Sequence, residues 1–166
     1  MKKMHVYSHT HWDYEWYFTA SESIIQLIYH MDEVISALES GTLKTYLLDS
    51  QVSILEEYLH MMPEKEPVIR KLVEERKLMI GPWYTQSDEL IISGESLARN
   101  LWYGISYARE LGNCMMIGYL PDSFGQSKDM PKLYNGFDIR EALFWRGVPN
   151  DVCKQREFLL AQYRWK

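Results

Sequence analysis

The densest set of chemically capable side chains lies near the start of the chain, in Ser8-His9-Thr10-His11-Trp12-Asp13-Tyr14-Glu15-Trp16. In extended backbone, residues two apart face the same side, so His11 and Asp13 present an imidazole nitrogen and a carboxylate oxygen to one point. That donor pair suits zinc with an open coordination position better than calcium, which takes oxygen alone. On spacing, His9 paired with His11 is an equal alternative. Histidines hydrogen-bonded at a rim, with no metal, are a third. Trp12 and Trp16 offer flat faces for stacking on a sugar or a base.

A second group centres on Asp122 in Gly118-Tyr-Leu-Pro-Asp-Ser-Phe-Gly125. Proline and glycine turn chemistry holds this carboxylate rigidly, as a nucleophile or shared metal ligand requires. The competing role is a cap on the following helix. Asp88 and Glu89 carry the same two readings, Asp49-Ser50 reads as a cap, and Arg146 is either a carboxylate clamp or a surface cation.

All of these residues follow short apolar runs, and those runs define the elements that must position them. Met4 to Ser8, Thr45 to Leu48, Leu78 to Trp83, Met115 to Leu120 and Glu141 to Trp145 are predicted strands. Between them lie segments of helical period. Thr19-Ala-Ser-Glu22 is a capping box, followed by Leu27, Met31, Ile35 and Leu38 up to a C-cap at Gly41. Ile54 to Leu59, Pro67 to Val73, Ser93 to Gly112 and Met130 to Tyr134 are the other helical stretches. The alternation predicts an α/β fold of parallel-stranded (β/α) units with right-handed crossovers, whose working loops lie beyond the carboxyl ends of the strands. His9, His11, Asp13, Asp49, Asp88, Glu89, Asp122 and Arg146 then share one rim. With no linker, low-complexity tract or repeat, residues 1–166 form one unit.

The 166 residues are 46% hydrophobic and 25% charged, a globular composition, and are fewer than the about 250 of a complete (β/α) barrel. The 18 Lys and Arg stand against 23 Asp and Glu, a net charge of −5 that offers no field to a nucleic acid. Cys114 and Cys153 lack paired spacing, no signal-peptide apolar region follows Met1-Lys2-Lys3, and no apolar run is long enough to span a membrane, so a cytoplasmic location is expected.

His11-Trp12-Asp13-Tyr14-Glu15-Trp16, Gly81-Pro82-Trp83-Tyr84-Thr85-Gln86, Gly118 to Gly125 and Phe144-Trp145-Arg146-Gly147 occur in this order. Together they resemble the N-terminal part of the catalytic domain of family 38 glycoside hydrolases, the zinc-dependent retaining α-mannosidases. The bacterial members acting on mannosylglycerate or short mannosides are the nearest in character, and the likeness extends to about Phe158. The resemblance implies the first part of a seven-stranded α/β barrel and a Zn²⁺ cofactor. It implies His11 and Asp13 as zinc ligands, Asp122 as nucleophile and further ligand, Trp16 as the aromatic stacked on the reacting mannose, and Arg146 as a substrate-site arginine. The implied partner is an α-mannoside, with no nucleic acid and no membrane, and self-association stays open.

The family's remaining zinc ligand, a histidine, and its acid/base aspartate lie further along the chain than these residues. The expectation is therefore a truncated catalytic domain, weakly active or inactive alone. Two other readings compete: a polysaccharide-deacetylase-like zinc hydrolase, in which the metal activates water, and a non-catalytic sugar- or metal-binding module.

Overall fold

A computed structural model describes residues 4–144 and 146–148, together with the backbone of Gln162–Arg164. The elements run β1 (Ser8–Thr10), α1 (Ala20–Glu39), β2 (Tyr46–Leu48), α2 (Ser53–Met61), a 3₁₀ turn (Pro63–Lys65), α3 (Glu66–Glu74), β3 (Leu78–Met79), α4 (Gly94–Glu110), β4 (Gly118–Tyr119), α5 (Met130–Gly136), β5 (Glu141–Leu143) and β6 (Gln162–Arg164). Strand and helix alternate as the sequence predicts.

β1, β2 and β3 form one parallel sheet in that order, with Ser8 beside Tyr46 and Tyr46 beside Leu78. β2 is central and buried throughout, the pattern of a parallel strand covered on both faces. β4 pairs in parallel with β5, and β6 adds antiparallel to β5. The described strands are thus mixed α/β in two three-stranded sheets, rather than one wholly parallel run. The two sheets adjoin where the Met115 N–H donates to Ile80 O at 2.8 Å.

α1 starts at the predicted capping box. Thr19 Oγ1 accepts from the Glu22 N–H, and Glu22 Oε2 accepts from the Thr19 N–H at 2.9 Å. Its inner face buries Leu27, Met31, Val34, Ile35 and Leu38. Pro67 sits in the first turn of α3, and Ser93 caps α4 by accepting from the Ser96 N–H at 3.1 Å. α4 lies hard against the chain leaving β3. A Cβ on Gly104 would come within 2.3 Å of Pro82 O, so only glycine permits this approach, and it fixes the path of the loop beyond Trp83.

The strands are shorter than predicted. Met4 to Tyr7 lie outside β1, with Met4 and Val6 more than four-fifths exposed, because these apolar side chains have nothing to pack against. β3 stops at Met79, level with the end of β2, where Asp49 and Ser50 take up positive φ and leave the strand. Trp83 instead donates its N–H to Ser50 O and bridges to Gln51. β4 and β5 also cover only part of their runs; Trp145 and Cys153 lie outside the described residues.

Candidate metal centre

β1 ends at Thr10, and His11 and Asp13 follow at its carboxyl end. Asp122 follows β4, on the other sheet. His11 Nε2 lies 3.4 Å from Asp13 Oδ1 and 3.5 Å from Asp122 Oδ2. One donor atom from each of the three residues falls within 4.8 Å of the others. Zinc bonds of about 2.0–2.2 Å put tetrahedral ligand atoms about 3.4 Å apart, so two of the three edges already fit a zinc-sized ion. The one-nitrogen, two-oxygen donor set fits as well, and the group is open to solvent on one side.

His9 is not gathered here. Its ring turns toward Tyr119, 6.1 Å away and edge-on, which decides between the two histidine pairings. Asp122 does not cap a helix, since the N-cap position of α5 is Asp129. Arg146, beyond β5, pairs through its guanidinium with Asp122 Oδ1 and stacks 4.1 Å above the centre of the Phe124 ring. It is therefore a carboxylate clamp and no loose surface cation.

The loop carrying Asp122 is held from both sides. Asp88 Oδ2 accepts from the Phe124 N–H at 3.1 Å, and Glu89 Oε2 from the Ser127 N–H at 2.6 Å. Asp88 and Glu89 thus act on this loop's backbone and neither caps α4 nor joins the donor group. Glu89 is 4% exposed, and burial pushes its carboxyl up to about 7, with the Ser127 bond opposing that rise. Beyond Arg146, the Gln126 N–H donates to Gly147 O at 2.8 Å. Gly147 has a φ of +80° and lies so close that a Cβ would meet Gly125 N at 2.8 Å, so a side chain there would push the clamp off the loop.

Asp49 is the residue whose role the sequence hides. The N-cap position of α2 is Val52, so Asp49 caps nothing. Asp49 and Ser50 have φ of +41° and +60°, a left-handed pair costing on the order of 1 kcal/mol per residue. This bend turns the fully buried Asp49 carboxylate under His11, where Oδ1 meets Nδ1 at 3.1 Å. The hydrogen bond and charge of Asp49, with help from Asp13, hold the His11 imidazole above its usual pKa against the opposing effect of burial. Asp-Ser ahead of a helix has the local signature of a cap; only the contact across 38 residues distinguishes it.

Trp16 is 70% exposed and meets Tyr17 edge-on, 5.9 Å between ring centres. It borders a cavity of about 220 Å³ together with His11, Asp13, Phe18 and Gln26. A larger cavity of about 460 Å³ opens on the other side of His11 and Asp13, toward Glu57, Tyr84 and Gln86. Trp12 borders both openings, and its ring stacks on His30 of α1, 6.0 Å between centres.

This geometry defines an enzyme-like rim on an α/β scaffold, and comparison with known proteins places it. Residues 1–166 match the model of the glycosyl hydrolases family 38 N-terminal domain. The chain belongs to that family. It is 39% identical over 149 residues to a Halalkalibacterium halodurans protein named as a mannosylglycerate hydrolase, covering 89% of this chain and 17% of that protein. Over 86 residues it is 33% identical to an α-mannosidase of Saccharomyces cerevisiae, covering 49% of this chain and 8% of the yeast protein. The crystal structure of an α-mannosidase from Enterococcus faecalis V583 superimposes with a TM-score of 0.82 at 37% identity, over 86% of this chain and 16% of that one. A second family 38 structure from Enterococcus faecalis gives 0.74 at 33% identity, over 83% and 16%. The chain spans about one-sixth of the length of the first of these relatives. These relatives are glycoside hydrolases, and their family takes the place of the deacetylase reading. Among the described residues, no helix is long and apolar enough to cross a membrane.

Proposed function

We propose that residues 1–166 are the N-terminal portion of the catalytic domain of a zinc-dependent retaining α-mannosidase, and that its strands begin a seven-stranded α/β barrel. The supporting observation is the double engagement of Asp122. One oxygen faces His11 Nε2 at 3.5 Å while the other is held by Arg146. A carboxylate held in this way can serve as a ligand and still keep a fixed line of attack on a sugar.

His11, Asp13 and Asp122 would hold the zinc, which when bound supplies a Lewis acid with open positions for the cis 2- and 3-hydroxyls of mannose. Asp122 is the nucleophile. Its oxygen bonds to the anomeric carbon as the bond to the leaving oxygen breaks, giving a mannosyl ester on Asp122. A second carboxyl group, about 5 to 5.5 Å away, protonates the leaving oxygen and then takes a proton from the water that releases mannose with retained configuration. Arg146 keeps Asp122 aimed, and the exposed face of Trp16 receives the sugar ring. The acid carboxyl and a further histidine ligand come from segments other than residues 1–166, so this chain alone turns over mannosides weakly or not at all. A cytoplasmic location belongs to the same reading, supported by the absence of paired cysteine spacing.

The decisive experiment treats the complete enzyme containing these residues with a fluorinated α-mannosyl fluoride and maps the adduct by mass spectrometry. The expected adduct is on Asp122, with Asp122→Ala losing on the order of 10⁴-fold in turnover. An adduct elsewhere, or unchanged turnover by Asp122→Ala, overturns the assignment. Mannose binding with no turnover by the complete enzyme returns the chain to a non-catalytic binding module.

A further inference from the structure

From the contacts of a single buried carboxylate, we infer that Asp49 is the positioning residue of the metal centre. It fixes His11 with its proton on Nδ1 and its lone pair on Nε2, and it does so as the shared acceptor of three strand-end loops. The inference rests on His11, Asp13 and Asp122 being metal ligands, and it reaches beyond those ligands to what orients one of them.

Asp49 is fully buried, yet both of its oxygens are occupied. Oδ1 meets His11 Nδ1 at 3.1 Å and accepts from Gln86 Nε2 at 2.7 Å. Oδ2 accepts from the Trp12 N–H at 2.9 Å and from Gln51 Nε2 at 2.6 Å. A carboxylate is acceptor-only, with about four lone-pair sites, and the partners supply four donors once His11 carries its proton on Nδ1.

The amides cannot turn round to change this pattern. Gln51 Oε1 already accepts from Thr85 Oγ1 and the Gln86 N–H, each at 3.3 Å, and its Nε2 also reaches Trp12 O at 3.1 Å. Gln86 Nε2 also donates to the Asp49 backbone carbonyl at 2.5 Å. The direction of every hydrogen bond follows from the network. With Nδ1 committed as donor, Nε2 is left as the nitrogen facing Asp13 and Asp122, at 3.4 and 3.5 Å.

The arrangement also forbids the isosteric amide. In Asp49→Asn, the new NH₂ group faces two donors whichever way it is placed. On one side these are the Trp12 N–H and Gln51 Nε2, on the other Gln86 Nε2 and His11 Nδ1. The imidazole is then released to adopt its other tautomer or another rotamer. Orienting carboxylates behind metal-bound histidines commonly change metal affinity by about 10- to 100-fold.

Two measurements test this. In the metal-free protein at mildly alkaline pH, nitrogen-15 NMR of the imidazole is expected to show the His11 proton on Nδ1, and in Asp49→Asn to show it moved wholly or partly to Nε2. Competition with a chromogenic zinc chelator is expected to show zinc held about 10- to 100-fold less tightly by Asp49→Asn and a few-fold less tightly by Gln86→Leu. Gln86→Leu removes one donor to Oδ1 without burying a new polar group, so it serves if Asp49→Asn fails to fold. Wild-type His11 with its proton on Nε2, or a folded Asp49→Asn binding zinc within twofold of wild type, overturns the inference. A complete wild-type enzyme that binds no zinc refutes the ligand assignment, while the tautomer measurement still decides the role of Asp49.

Discussion

His11 and Asp122 meet at the same point but are held in opposite ways. His11 is held from beneath, by a fully buried carboxylate whose partners come from the loops after β1, β2 and β3. Asp122 is held from the side, by Arg146 at a partly exposed position and by a loop whose backbone hangs on Asp88 and Glu89. For the metal ligand proposed at His11, only tautomer and direction need fixing, which a dry hydrogen-bond network closed around one buried carboxylate does well. The nucleophile proposed at Asp122 must also stay accessible to substrate, and its support comes from charge and backbone on the flanks. The two regions belong to different sheets, and the site exists only if the sheets keep their register.

The largest expected effect on that register is at Trp83. It is fully buried, its backbone joins the first sheet through Ser50 and Gln51, and its ring packs at 69° on Tyr134 of α5, 5.9 Å between centres. Trp83→Ala should cost about 3–5 kcal/mol, measured by denaturant unfolding. The same substitution should weaken zinc binding, because it loosens the contact that brings Asp122 to His11. A loss below about 1 kcal/mol would mean that the two halves are joined elsewhere.

The contrast also explains what could be read from the chain. Features that depend on neighbours in sequence were legible: the Thr19–Glu22 box, the apolar stripe of α1, Pro67 at the start of α3, and His11 with Asp13 two residues apart. Proline and glycine marked Asp122 as a rigidly held carboxylate, but its own neighbours left open whether it capped a helix. The roles of Asp49, Asp88 and Glu89 were not, because each acts on a group 36 to 38 residues away, while its own neighbours give the pattern of a helix cap. Strand ends were overcalled for a related reason. An apolar run shows what is buried, but pairing stops where the neighbouring strand turns off at Asp49 and Ser50 or where Met4 and Val6 find no partner.

A smaller effect should distinguish the flank of Asp122 by pH. Glu89 is raised to about 7 when folded, against an ordinary value of 4.5, mainly by burial. Between those values the native state binds a proton that the unfolded chain gives up. Stability from this group is therefore fully present below about 4.5, falls as pH rises, and is lost above about 7. The full span is worth at most roughly 3 kcal/mol. Glu89→Gln keeps an oxygen for the Ser127 N–H and removes the charge. It should match wild type near pH 4 and exceed it by a growing margin up to pH 8 in unfolding experiments. A margin that does not change with pH would mean that Glu89 is not the group responsible.

The smallest effect is expected at the start of α1, which anchors the far end of the loop carrying His11 and Asp13. Thr19 closes the capping box, and one turn on, the buried Ser23 hydroxyl donates to the Tyr14 carbonyl, next to Asp13. Thr19→Ala removes one acceptor for an orphan helix N–H and should cost about 1 kcal/mol. For a chain of this size that is a fall in Tm of about 2–4 °C. Zinc affinity should change less than twofold, because Ser23 still ties the loop to the helix and Asp49 still holds His11. If Thr19→Ala weakened zinc binding as strongly as Asp49→Asn, the orientation of the ligands would come from the loop ends rather than from the carboxylate beneath them. The division between a buried support for His11 and a flanking support for Asp122 would then fail at its first half.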